Sequence, residues 1–369
     1  MATSFKTFDP TKDSVVTRNL LHEAIPVTGT IVSGTYSDNN IKNYSHGMFQ
    51  SVYDYPYLSS SANHIFDLTA GYPATSSLSG TSAEHVQNTK KINIYNQMAQ
   101  VLAGFDAQGV VRQFDEDGDL TAGTKIDEAY FINLTRLLSK DEVKKGSFTL
   151  TLGVDADYAT PFEETITISD SSGSSGYKVN SPAGEYGILF AKNGTGAPMS
   201  IGGVTVGMPC GLLYYQAGIA VLSASVFGSG SSDSPGLLSI PVSMSLTEGV
   251  ASYPSASVSA SFIGSAISGA CDALRHRIEN LSFNNTTELN STIYFCRANN
   301  TDFNYSSNPT YLSSSKIVVK TDAQDVPVSY VTSVGLYSAD NELLAVAKLS
   351  EPLKKNPATE FTVRVRLDY

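Results

Sequence analysis

The densest run of ligating oxygens in the chain is Asp115-Glu116-Asp117-Gly118-Asp119, where carboxylates alternate around a glycine as they do at the opening of a calcium loop. Such a loop needs glycine at its sixth position and a bidentate glutamate at its twelfth, and this chain has Leu120 and Ile126 there. The spacing therefore predicts a solvated acidic turn that binds no metal. Glu163 and Glu164 are a second carboxylate pair, but neighbours on a strand point to opposite faces and cannot flank one glycosidic bond. The histidines His22, His46, His64, His85 and His276 stand singly. There is no H-E-x-x-H pair, no G-x-S-x-G elbow and no G-x-x-x-x-G-K-[ST] phosphate loop. Cys210, Cys271 and Cys296 are odd in number and lack C-x-x-C spacing, which predicts buried free thiols of a reducing compartment. Taken together, these residues predict no enzyme, no cofactor and no metal centre.

Composition narrows the class further. The 369 residues are 41% hydrophobic, ample for two or three domain cores, yet only 16% are charged. Ser, Thr, Asn, Gly and Tyr must therefore cover much of the surface. A net charge of −11 argues against wrapping nucleic acid, which needs clustered Lys and Arg. No apolar run reaches the ~18 residues of a membrane span, and the start, Met1 to Pro10, lacks the pattern of a signal peptide.

The elements that must position any site are predominantly strands. Asp13 is placed to cap a helix through Val15, Val16, Leu20, Leu21 and Ile25, closed by Pro26, and a strand is expected over 27–33. A second helix is expected from about Glu84 to Phe105, with Ile92, Ile94, Met98, Val101 and Leu102 on its apolar side. From Ser147 the period changes to two. Short strand-like runs follow at 148–152, 164–168, 177–179, 187–190, 203–206 and 212–227, with polar turns between them. Gly228 to Pro235 reads as a linker, and strands are expected at 239–245 and 255–262. Ile263, Ile267, Ala270, Leu274, Ile278 and Leu281 then recur at helical spacing, with Arg275, His276, Arg277 and Glu279 off that seam, predicting one long helix that docks on a sheet and ends at 284–290.

The last stretch is the clearest. Runs at 291–296 and 316–320 read as strands, Val331–Tyr337 and Glu342–Lys348 as a hairpin about Ser338–Asn341, and Ser350–Pro357 as a loop set by its prolines. In the closing run Phe361, Val363, Val365 and Leu367 share one face, and Thr362, Arg364, Arg366 and Asp368 the other. The expected fold class is α+β, predominantly antiparallel β, with β-sandwich or small-barrel domains and a few packed helices. Three domains are expected: a mixed region 1–146, a β-rich region 147–262, and a helix followed by antiparallel strands over 263–369.

Between residues 44 and 72 aromatic side chains concentrate: Tyr44, Phe49, Tyr53, Tyr55, Tyr57, Phe66 and Tyr72. Without a clean period they read either as a long loop packed on its own domain or as a contact between subunits, a role suited to the large area and polar tip of Tyr. Together with Arg364 and Arg366 they are the candidate interface residues.

Three stretches resemble structural virion proteins of contractile-tailed phages that infect marine cyanobacteria. They are Asn43-Tyr-Ser-His-Gly-Met-Phe-Gln-Ser-Val-Tyr-Asp-Tyr-Pro-Tyr-Leu58, Lys91-Ile-Asn-Ile-Tyr-Asn-Gln-Met-Ala-Gln-Val-Leu102, and the end of the chain from Val-Gly-Leu-Tyr337 to Arg-Leu-Asp-Tyr369. The resemblance implies a tail, baseplate or neck adaptor in the virion, assembled in the host cytoplasm as a homo-oligomer and docking other phage structural proteins. The alternative is a host-recognition tail protein that binds a receptor or carbohydrate, with Tyr rings stacking on sugars. The absence of Trp and of fibrous repeats weighs against that alternative.

Overall fold

A computed structural model describes residues 5–27, 38–80, 85–118, 123–138, 142–154, 162–193, 208–227, 262, 266–305, 312–313, 316–317, 324 and 326–369. The expected linker at 228–235 and the strands expected at 203–206, 239–245 and, apart from Phe262, 255–262 lie outside these residues, as do Asp119 and Leu120 of the acidic run. The chain divides into two compact units, one of residues 1–21 with 288–369 and the other of residues 22–287. The fold is predominantly antiparallel β, as expected. Among the described residues its sheet does not close into a barrel.

In the unit of residues 22–287 the strands are β2 (Ile41–Asn43), β3 (Gln50–Tyr53), β4 (His64–Gly71), β5 (Ala129–Asn133), β6 (Glu142–Val143), β7 (Thr149–Gly153), β8 (Thr165–Ser169), β9 (Lys178–Ser181), β10 (Gly184–Asn193), β11 (Met208–Tyr214) and β12 (Ile219–Ser223). They run in the order β7-β8-β10-β11-β12-β5-β4-β3-β2. The alternation that predicted β7 and β8 is visible in their burial: Leu150, Leu152, Ile166 and Ile168 face inward while the threonines between them stay half-exposed. Strands β5 and β12 are buried on both faces and read as apolar runs, whereas β4, also largely buried, carries Asp67 and Thr69 among its apolar residues.

Helix α1 (His85–Leu102) packs on β4. Its approach is close enough that a Cβ on Gly71 would lie 2.5 Å from the Lys91 carbonyl oxygen, so glycine is required there. The buried face of α1 is turned from the expected one. It carries Asn88, Lys91, Ile94, Tyr95, Ala99 and Leu102, whereas Val101 is 65% exposed. Lys91 reaches a buried site by donating to the Phe262 carbonyl, a polar contact that apolar periodicity does not anticipate.

Two expected helices are corrected. Residues Ser14–Ile25 form strand β1, not a helix capped by Asp13, and β1 lies beside β13 (Ile278–Ala298). The run Val15-Val16-Thr17 is β-branched, and the backbone of β13 offers it a ladder that helix propensity cannot outbid. The long helix stops early as α2 (Ile267–Arg275), and Ile278 and Leu281 are buried in β13. Ser, Asn and Thr take every place in 282–287 but Phe283, which disfavours helix, and Ile278 to Ser282 pair with Leu152 to Thr149 of β7. Residues 284–290 therefore continue a strand. Arg275 and Arg277 are not on a wet face: Arg275 pairs with Asp272 at 2.8 Å and Arg277 donates to the Gly153 carbonyl at 3.1 Å, both side chains buried.

The unit of residues 1–21 and 288–369 holds the first part of β1, the second part of β13, the short β14 (Leu312–Ser313) and β15 (Lys316–Ile317), and β16 (Ser329–Tyr337), β17 (Leu343–Lys355) and β18 (Phe361–Asp368). As expected, β16 and β17 form a hairpin, and the chain closes on a strand whose apolar face is the more covered one. The loop expected at 350–357 is instead strand through Lys355, because the register shifts between Val331 and Ser333 and seats Pro352 in the irregularity, where it owes no ladder hydrogen bond. Among the described residues of this unit, only Ala298, Leu336 and Val365 are buried apolar side chains.

Candidate functional site

The aromatic segment is not a long loop, since β3 and β4 occupy it and Asp54 closes the connection between them. Asp54 accepts from the Asn63 backbone N–H at 2.6 Å and from Asn63 Nδ2 at 2.8 Å. Phe66 and Tyr72 are fully buried in the core. Tyr55 and Tyr57, 40% and 37% exposed, sit on the closed connection, and the Tyr57 ring lies 6.4 Å from that of Tyr53.

Tyr44 and Phe49 come together at 4.8 Å, and Tyr44 stacks on His46 at 5.2 Å with planes 5° apart. Lys42 lies 4.9 Å over the outer Tyr44 ring system as a cation–π partner. Beside this trio opens a cleft of about 440 Å³, walled by Phe49, Phe131, Ile94 and Met98 with His46, Asp67 and Asn133 among its polar groups. The Met48 N–H donates to His46 Nδ1 at 3.0 Å, so in the neutral ring the proton sits on Nε2. The cleft thus has apolar walls with a few hydrogen-bonding groups among them, and it is open to solvent.

A serine, a histidine and an aspartate meet beside it, but in the wrong order for a nucleophilic relay. Ser51 Oγ donates to Asp67 Oδ1 at 2.5 Å, and His64 Nε2 contacts the same oxygen at 2.6 Å. Both groups end on the carboxylate, so the imidazole is not placed to take the serine proton.

The expected solvated acidic turn is corrected in part: Asp117 is exposed, but Asp115 and Glu116 are not. Asp115 is fully buried and Glu116 nearly so. Asp115 accepts from the backbone N–H of Asp117 at 3.1 Å and of Gly118 at 3.2 Å, and is paired with Lys125. Burial pushes Asp115 up, but the hydrogen bonds of Asp117 and Lys125 outweigh it and hold the group below the ordinary carboxylate range. Glu116 has no such cation, and burial first, with the charges of Asp115 and Asp117 adding to it, pushes it up to about 7 despite a hydrogen bond from Ser223. Among the described residues no group of three or more His, Cys, Asp or Glu is arranged to hold a metal ion.

Burial also pushes the thiols of Cys210 and Cys271 up, which leaves them as unreactive packing groups at neutral pH. On β18, Arg366 pairs with Asp368 at 2.6 Å and donates to Ser291 Oγ at 3.1 Å. Arg364 makes no ion pair or hydrogen bond among the described residues and stands exposed.

The feature sequence reasoning passed over is the hairpin surface. Tyr337, Leu343 and Val346 share one face at 44%, 53% and 54% exposure, and Leu344, the extra residue where the register shifts, is 67% exposed. The signal was present as Leu-Leu-Ala-Val-Ala, which breaks the alternation a half-wet strand needs. No family model, curated protein or solved structure matches this chain.

Proposed function

We propose that this chain is a structural subunit of a tailed-phage virion, of the tail, baseplate or neck type, which assembles as a homo-oligomer and docks other virion proteins. The observation that carries this reading is the unit of residues 1–21 and 288–369, whose described residues bury three apolar side chains while a hairpin shows water a row of Leu, Val and Tyr. A two-stranded hairpin is marginal by itself in water, and such a unit is completed by neighbours. The three stretches that resemble phage structural proteins supply the kind of assembly. Its mechanism is geometric: exposed strand edges and apolar faces, repeated by symmetry, build a ring and present docking surfaces.

Peptide mass spectrometry and a reconstruction of the particle encoded with this chain test the reading. The expected result is the chain in finished particles at a copy number set by ring symmetry. Finished particles without it would sink the proposal.

A second reading, host recognition, is favoured by one observation, the cleft walled by Phe49 and Phe131 with His46 and Asn133 at hand. Glycan-array binding that is lost in Phe49→Ala supports it, and no glycan binding removes it.

A further inference from the structure

Charge is divided unevenly between the two units. Residues 22–287 carry thirteen Lys and Arg against twenty-four Asp and Glu, whereas residues 1–21 and 288–369 carry eleven of each. The whole net charge of −11 therefore belongs to one unit, and the other is neutral. Two copies of the acidic unit repel each other, and two copies of the neutral one do not. A neutral surface with exposed apolar side chains is also one that associates.

From this division and the hairpin we infer that the unit of residues 1–21 and 288–369 is the self-association module of the chain, and that a second copy of the same unit covers the face bearing Tyr337, Leu343 and Val346. The inference deepens the homo-oligomer named above, but not the virion reading, on which it does not depend.

The geometry favours a copy over a charged partner. The face in question alternates Tyr337, Gly335 and Ser333 on β16 against Leu343, Val346 and Lys348 on β17, so it holds one cation at its end and no anion. Gly335 has no side chain, and the Tyr337 ring lies over it, 2.9 Å from where a Cβ would stand. Phe5 of the same unit meets the Tyr337 ring edge-on at 4.9 Å and is itself 47% exposed, so the two rings, Leu343 and Val346 together form the apolar surface that can meet its own image about a two-fold axis. The far face of the hairpin is already committed, with Leu336 buried and Val334, Ala345 and Ala347 half-buried. Leu344, the extra residue at the register shift, is 67% exposed beside this face. Lateral pairing of two hairpins along their edges would add to this contact, since among the described residues β16 and β17 pair only with each other.

The test uses the full chain. Light scattering behind size exclusion should give an oligomer at micromolar concentration. Leu344→Asp combined with Val346→Asp should weaken it at least tenfold, whereas Val101→Asp, an equally exposed apolar position on α1, should leave it unchanged. Because the double variant could also unfold the hairpin, hydrogen exchange on the unaltered chain supplies a second measurement. Amides of 329–337 and 343–355 should gain protection as concentration rises. A monomer up to about 10⁻⁴ M overturns the inference. So does an oligomer whose mass ignores the double variant and whose hairpin exchange ignores concentration. A self-associating chain missing from particles would sink the virion reading alone, and a monomeric chain found in particles would sink this inference alone.

Discussion

The Tyr215 hydroxyl donates to Asp170 Oδ2 at 3.1 Å, in a slot that exists only because residues 173 and 187 are glycines. A Cβ at either position would collide with that hydroxyl. Asp170 also accepts from the N–H groups of Gly146 at 2.7 Å and Phe148 at 2.9 Å, so one buried carboxylate ties three segments together.

Asp170→Ala should therefore cost about 2–4 kcal/mol, because it strands the buried Phe148 N–H and the buried Tyr215 hydroxyl and releases the Gly146 N–H to solvent. Tyr215→Phe, which removes one donor and strands nothing else, should cost only about 1 kcal/mol. Urea melts of the two variants measure the difference, and equal losses would show that the carboxylate is not the hub.

Glu116 gives stability a pH dependence of unusual sign. Its folded value of about 7 stands above the ordinary 4.5, so between those values the folded chain keeps a proton that the unfolded chain has released. The contribution is full below about pH 4.5, falls as pH rises, and is lost above about 7, for a change of up to about 3 kcal/mol. Asp127, Glu128 and Asp170, which burial also pushes up, act in the same direction. Glu116→Gln should flatten the slope of melting temperature between pH 5 and 8. Parallel slopes for variant and parent would refute the assignment.

Lys355 is buried, and among the described residues no carboxylate pairs with it. Its ammonium donates to Asn304 Oδ1 at 2.8 Å and to the carbonyls of Asn300 at 3.2 Å and Asn356 at 3.0 Å, which uses all three protons. This fixes the foot of the β16–β17 hairpin. Lys355→Met should leave three oxygens unsatisfied and raise amide exchange across 329–331 and 353–355 before the rest of the unit. Uniform exchange would mean the foot is held by something else.

Removing residues 360–369 takes away β18 and opens the edge of β13 over Ser291–Ala298. The truncated chain should aggregate or melt earlier. Replacing the exposed Arg364 by Ala should leave melting unchanged, and any effect it has should appear only in assembly. A soluble truncated chain with an unaltered melt would mean that β18 contributes nothing to the folded unit.

How much of this was legible depended on how local each signal was. The alternation of Phe361 to Leu367 and of Leu150 and Leu152 carried over directly, because a strand with one buried face writes its period into its own residues. Val15 and Val16 misled, since their strand exists through a neighbour more than 250 residues away along the chain. The spacing of Leu274, Ile278 and Leu281 fitted a helix equally well, and only the open edge of β7 decides against it. The acidic run read as wet because composition shows charge but not the Lys125 and backbone N–H groups that let Asp115 be buried. The cleft was illegible because its walls come from β4, β5 and α1, whose meeting no local pattern records.

The pairing of β1 with β13 also sets a timetable. The Asp13 carbonyl accepts from the Phe295 N–H at 2.8 Å, so the opening strand has no partner until the ribosome has delivered the chain past residue 295. At about 5–20 residues per second that is a wait of roughly 10–60 s. Throughout it Val15, Val16, Leu20 and Leu21 travel as an unpaired apolar strand, and the unit of residues 22–287 is itself complete only as that wait ends. On a polysome, neighbouring nascent chains carry the same unpaired strand at the same moment, a template for pairing between chains until β13 is made.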